Sequence, residues 1–133
     1  MNDLKLFNSI AVKYGFRKVI FDKSLQKNEW GKCNVLESNK CIRLNPNLTY
    51  EEFKKHYKYK IEPKQLFTFV MLHEIGHFVL NHYNEEISCS YYKNATNIQE
   101  VDKNWITMRK KQEKEAWKWA YQELEKYSKE IYF

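Results

Sequence analysis

The sequence predicts a single α+β domain over residues 1–133, with a small, mostly antiparallel β-sheet packed against an apolar central helix and a long C-terminal helix. Three observations carry that prediction. From Gln65 to about Asn81 the apolar positions Phe69, Leu72, Ile75, Val79 and Leu80 recur at helical spacing. Three short runs of strand type precede them, and a stretch from Trp105 to about Lys129 is dense in the helix formers Lys, Glu, Gln and Ala. A chain of 133 residues with 43% hydrophobic side chains is one domain with enough apolar surface for a core.

Each element has a local reason. Leu4, Phe7, Ile10, Ala11 and Tyr14 make one face of a first helix from Asp3 to Tyr14, and Gly15 stands where a helix C-terminal glycine belongs. Arg17 to Phe21 carries Val19, Ile20 and Phe21, a short strand before a polar loop running to about Gly31. Lys32 to Glu37 and Lys40 to Leu44 read as a hairpin turning at Ser38-Asn39. That turn sets Glu37 opposite Lys40, Val35 opposite Ile42 and Cys33 opposite Leu44, with one face apolar. Asn45-Pro46-Asn47 ends the last strand. Thr49 to Glu52 has the S/T-x-x-E form of a capping box and opens a short helix through about Tyr59. Pro63 suits the first turn of the central helix. From Tyr83 to Asn104 the chain is polar and aromatic without a clear period. It reads as a long irregular connection with room for a short helix after Asn97, and as a candidate substrate-binding rim.

Lys and Arg exceed Asp and Glu by 23 to 17, a net charge of +6. The lysines are scattered along the chain and read as solvated helix faces, so direct nucleic-acid binding is not the expectation. Cys33, Cys41 and Cys89 are odd in number and form no C-x-x-C pair, which points to free thiols in a reducing compartment. No apolar run reaches the length of a membrane span, and a soluble cytoplasmic protein without a membrane partner is expected.

The densest chemistry lies in His73-Glu74-Ile75-Gly76-His77. On a helix, imidazoles four residues apart sit about 40° from each other around the axis and can bridge one divalent cation. Glu74, one position round, can hold and deprotonate a water without being a ligand. This H-E-x-x-H pattern is that of zinc hydrolases, with two neutral histidine nitrogens as ligands and a carboxylate as general base. Two histidines and a glutamate buried without partners would cost several kcal/mol. The plainer alternative is a pair of core histidines making ordinary hydrogen bonds. Gly76 costs about 1 kcal/mol relative to alanine in mid-helix, and close approach of another segment would explain it.

A catalytic zinc needs a third protein ligand and an open position for water. An H-E-x-x-H-x-x-G-x-x-H site requires Gly at position 80 and His at position 83, where Leu80 and Tyr83 stand. His82 is a poor ligand, falling on nearly the opposite side of a continuous helix from His77. In the C-terminal helix Glu113, Ala116 and Ala120 share a face at i, i+3 and i+7. A carboxylate flanked by two small residues lets that helix press against Gly76 while aiming an oxygen at the metal. Glu115 is the fallback ligand, and an exposed carboxylate paired with a lysine is the plain alternative for Glu113.

Side by side, the two segments resemble those of the ImmA/IrrE family of bacterial and phage zinc metallopeptidases, whose members join an H-E-[IL]-G-H helix to a later E-x-x-A-[ND]-x-[FY]-A helix. The resemblance reaches from roughly Cys41 to Ala120 and includes Ile42-Arg43-Leu44-Asn45-Pro46 as the strand leading to the motif. Trp117 and Trp119 depart from it, standing where the family has Asn or Asp and Phe or Tyr. The resemblance implies a zincin-like metallopeptidase domain in which His73, His77 and Glu113 hold Zn2+ and Glu74 is the catalytic base. It also implies a protein substrate, since members cleave helix-turn-helix transcriptional repressors and release mobile-element or stress genes. A small domain without a DNA-binding domain of its own fits a phage or mobile-element regulator acting on a separate repressor.

His82, Tyr83, Tyr91 and Tyr92 are near enough in sequence to donate to a tetrahedral intermediate, and none is assigned that role. Manganese or iron also suits two imidazoles and one carboxylate. Two rival readings stay open. One is a non-catalytic zinc-binding interaction module of antirepressor type, which has no need of Glu74 as a base. The other is a SprT-like DNA-associated zinc protease, which takes a third histidine after the motif and would show salt-dependent DNA binding.

Overall fold

The computed structural model describes residues 3–34, 40–82 and 98–131. Over these the chain is α+β. Its elements are α1 (Asp3–Lys13), β1 (Lys18–Phe21), β2 (Gly31–Asn34), β3 (Cys41–Leu44), α2 (Tyr50–His56), a 3-10 turn (Pro63–Gln65) leading into α3 (Leu66–Val79), and α4 (Ile98–Ile131).

Phe7, Ile10 and Ala11 of α1 are buried. Gly15 has φ 88°, and the Gly15 and Phe16 amides return to the carbonyls of Val12 and Ala11. That pair of bonds is the Schellman closure, which needs a left-handed residue. Asn8 Oδ1 accepts from the Val19 amide at 2.6 Å and ties α1 to β1.

The sheet has the order β1-β3-β2. β2 runs antiparallel to β3 and β1 runs parallel to it, so the sheet is mixed where the sequence suggested a mostly antiparallel one. The polar loop after β1 is responsible, because it crosses the end of β3 and leaves β3 between the other two strands. Asn45 holds that path. Its amide nitrogen donates to the carbonyls of Gln26 and Glu29, both at 3.0 Å, and its Oδ1 accepts from the Asn47 amide at 3.0 Å. Asn45 is buried, and these bonds satisfy its side chain.

β2 and β3 pair with Gly31 opposite Leu44 and Cys33 opposite Ile42, two residues away from the expected register. The turn itself, with Val35 and Glu37, lies outside the described residues. Because strand side chains alternate with period two, the shift keeps the same residues on the same face. Val19, Ile42 and Leu44 still turn to the core.

Thr49 caps α2, its hydroxyl accepting from the Glu52 amide at 3.2 Å, and the helix ends at His56, earlier than Tyr59. Pro63 sits in the turn that opens α3, where the Glu62 amide donates to Gln65 Oε1 at 2.8 Å. α3 is apolar around most of its circumference and lies between the sheet and α4. α4 starts at Ile98, seven residues before the expected Trp105. No Gly or Pro interrupts residues 98–104, so the short helix anticipated after Asn97 is continuous with the long one. Ala116, Trp117, Ala120, Leu124 and Tyr127 bury one side of α4. Tyr14 Oη meets Glu123 Oε2 at 3.0 Å and Tyr127 Oη at 2.9 Å, fastening its far end to α1. Cys33 and Cys41 are free thiols, and Cys89 lies outside the described residues. Among the described residues, no helix is long and apolar enough to cross a membrane.

Candidate metal centre

α3 carries His73, Glu74 and His77 at 8%, 8% and 5% exposure. As their spacing requires, the two imidazoles share a face, with ring centroids 4.7 Å apart. α4 brings Glu113 to that face from forty positions beyond His73. Glu113 Oε2 lies 2.9 Å from His73 Nε2, and Oε1 lies 2.9 Å from His77 Nε2. Glu74 takes the other side of His73, with Oε2 at 3.0 Å from Nδ1.

His73, Glu74 and His77 offer donor atoms within 4.8 Å of one another, a group that could hold a metal ion. Of the two neighbouring carboxylates, Glu113 has the convergent position: the Nε2 atoms of both rings face it, whereas Glu74 touches Nδ1 of one ring. Two imidazole nitrogens and a carboxylate oxygen fit zinc, and also fit manganese or iron. Glu115 is elsewhere, its Oε1 3.7 Å from His82 Nε2.

Charge at the site is polarised. Burial alone would depress the pKa of His73, but hydrogen bonds with Glu113 and Glu74 outweigh it and hold it up at about 9. For Glu113 burial pushes upward, and the hydrogen bonds from His73 and His77 outweigh it, leaving the carboxyl well below the usual carboxylate range. The cluster is therefore built to keep a positive charge against the Glu113 carboxylate.

Gly76 has the reason its mid-helix position demanded. A Cβ there would lie 3.2 Å from the Ala116 carbonyl oxygen, 3.4 Å from Ala116 Cα and 3.1 Å from Trp119 Cε3. Small residues at this crossing set the depth at which Glu113 reaches the histidines. Gly31 has a similar role on β2, where a Cβ would lie 3.0 Å from Glu74 Cγ and 3.2 Å from Val70 Cγ1.

Several contacts were not legible in the motifs. Trp117 stacks on His73, with centroids 3.9 Å apart and planes at 14°. It also packs on Tyr57 and Phe69, at 4.5 and 5.0 Å, so this tryptophan is the hydrophobic floor under a candidate ligand. Arg109 Nη2 lies 3.6 Å from Glu113 Oε1, one helical turn away, a pairing that i,i+4 spacing could have suggested. His82 corrects the sequence reading. α3 stops at Val79 and Asn81 takes φ 64°, so the chain turns and brings His82 Nδ1 to 2.8 Å from His77 Nδ1. His82 thus neighbours the motif without joining the side that faces Glu113. Tyr83, Tyr91 and Tyr92 lie outside the described residues.

The cluster opens into a cleft of about 1020 Å³. Residues 26–31 form one wall and Arg109, Glu113 and Trp117 another, with Glu74 lining the space between them. Fold and site together define an α+β domain whose buried His-Glu-His group can hold a metal ion at the base of an open cleft. No family model, no curated protein and no solved structure matches the chain.

Proposed function

We propose that this chain is a zinc-dependent metalloendopeptidase, zincin-like in fold and of ImmA/IrrE type, that cleaves a helix-turn-helix repressor and so derepresses phage, mobile-element or stress genes. The observation that carries the reading is the meeting of Glu113 with both motif histidines at 2.9 Å. His73, His77 and Glu113 would hold the metal, a ligand set that leaves a position open for water. Zinc held there supplies a Lewis acid and a water of lowered pKa. The Glu74 carboxylate, which lines the cleft, accepts a proton from the attacking water and delivers it to the amine of the departing half.

The surroundings suit an extended peptide. β2 is an edge strand of the described sheet, and the absence of a side chain at Gly31 lets it lie against Glu74. A peptide lying along that edge passes the proton-carrying carboxylate. Incubation of the zinc-loaded protein with candidate helix-turn-helix repressors is expected to give a discrete cut. Glu74→Gln is expected to abolish the cut while zinc is retained, and a wild-type protein that cuts no repressor counts against the reading.

One observation favours a second reading. Glu74 Oε2 rests 3.0 Å from His73 Nδ1, the place of a carboxylate that orients a metal-binding histidine. In a non-catalytic zinc-binding module of antirepressor type, Glu74 would serve that purpose alone. Such a module binds its repressor uncut, and Glu74→Gln weakens its hold on zinc.

A further inference from the structure

We propose that His82 is a positioning residue for the metal centre, holding His77 in the tautomer and ring orientation that present Nε2 to a cation. The inference rests on the reading of His77 as a metal ligand, and it does not require that the protein be a peptidase.

The contact that motivates it is buried and short, with His77 Nδ1 and His82 Nδ1 2.8 Å apart. Between two neutral imidazoles at that distance, one Nδ1 carries the hydrogen and the other supplies the lone pair. If His77 donates, its own lone pair lies at Nε2, on the side of Glu113, and His77 can ligate. If His82 donates, His77 carries its hydrogen at Nε2 and cannot. Glu113 Oε1 accepts from His77 Nε2 at 2.9 Å and so favours the second arrangement until a cation takes that hydrogen's place, whereas Glu115 favours the first. A neutral His82 that accepts at Nδ1 carries its hydrogen at Nε2, and that atom faces Glu115 Oε1 at 3.7 Å. Glu115 then acts as an electrostatic bias on the tautomer, with no place among the ligands.

The chain also fixes His82 in space. Its carbonyl accepts from Gln112 Nε2 at 3.2 Å, and Gln112 is fully buried. Gln112 Oε1 accepts from Arg109 Nη1 at 3.1 Å, and Arg109 Nη2 lies 3.6 Å from Glu113 Oε1. Contacts therefore run from one nitrogen of His77 round through α4 to the carboxylate facing the other. The left-handed turn at Asn81 makes this geometry available, because a continuous helix would carry His82 away. Histidines that bind metals are oriented through their second nitrogen, and loss of such a partner weakens the metal about 10–100-fold.

The test uses the full chain and Zn2+, with affinity read by competition against a chromophoric chelator and folding by thermal unfolding. His82→Phe keeps a ring without nitrogen and is expected to bind zinc about 10–100-fold more weakly. His82→Asn places an amide oxygen near the lost Nδ1 and is expected to recover most of the affinity. Nitrogen-15 NMR of the zinc-bound wild type is expected to show His82 as the Nε2–H tautomer, a readout that needs no variant. Equal zinc affinity in wild type and His82→Phe, failure of a folded His82→Asn to recover, or His82 in the Nδ1–H form would overturn the proposal. A wild type that binds no zinc overturns it together with the metal centre. The expected ranking without any cleaved repressor supports it and counts against the peptidase reading alone.

Discussion

Gly76 and Ala116 put the backbones of α3 and α4 in direct contact, with 3.2 Å between the Ala116 carbonyl oxygen and the place a Gly76 Cβ would take. Helix propensity alone favours alanine over glycine by about 1 kcal/mol. Against that stand a backbone carbonyl and the edge of the Trp119 ring at 3.1 Å, and the backbone belongs to the helix that carries Glu113. Gly76→Ala is therefore expected to be net destabilising by about 1–2 kcal/mol, the scale of overpacking a closed interface. Urea unfolding checks it, and a variant more stable than wild type would show that α4 can retreat at no cost.

Asn45 holds the cleft wall from underneath. Asn45→Leu keeps the side-chain volume but removes the donor to the Gln26 and Glu29 carbonyls. The expected loss is about 1–3 kcal/mol, the cost of leaving buried groups unpaired. The loop should also loosen, so trypsin is expected to cut faster at Lys23 and Lys27 in the folded variant. Unchanged digestion would mean that the loop is held by something else.

Asp22 links the same loop to β3, where its carboxylate accepts from the Ser24 hydroxyl and amide and from Arg43 Nη1. The Ser24 bonds, then Arg43, hold its pKa below the ordinary value. A lowered carboxyl pKa stabilises the fold above the unfolded-state value of about 3.9, and the contribution fades as pH falls through the folded-state value. Asp22→Asn should unfold at lower temperature than wild type near neutral pH, with the gap closing as the pH falls below the unfolded-state value of about 3.9 and on through the lowered folded-state one. A gap that persists unchanged in acid would assign the effect to packing.

How far the sequence leads depends on how local each cause is. Gly15, the Thr49 cap and the apolar stripe of α3 act within a few residues, and they are readable as patterns. Glu113 was readable because Ala116 and Ala120 mark a face that must approach something and Gly76 marks the place approached. The parallel pairing of β1 with β3 was not readable, since it follows from the path that Asn45 imposes on a loop sixteen to nineteen positions away. His82 was misplaced because a single left-handed residue, Asn81, breaks the helical phase on which the sequence argument relied. Trp117 is buried, and its stacking on His73 depends on the rotation of α4 against α3, which no local pattern sets.

Glu113 at the convergence of His73 and His77 is the claim on which the functional account stands. The most direct measurement is the metal content and zinc affinity of purified wild type, Glu113→Ala and Glu115→Ala. The account predicts stoichiometric zinc in wild type and in Glu115→Ala. In Glu113→Ala it predicts a loss of affinity beyond about 100-fold, more than removal of an outer partner causes. Zinc retained by Glu113→Ala and lost by Glu115→Ala, or a wild type that binds none, would contradict it.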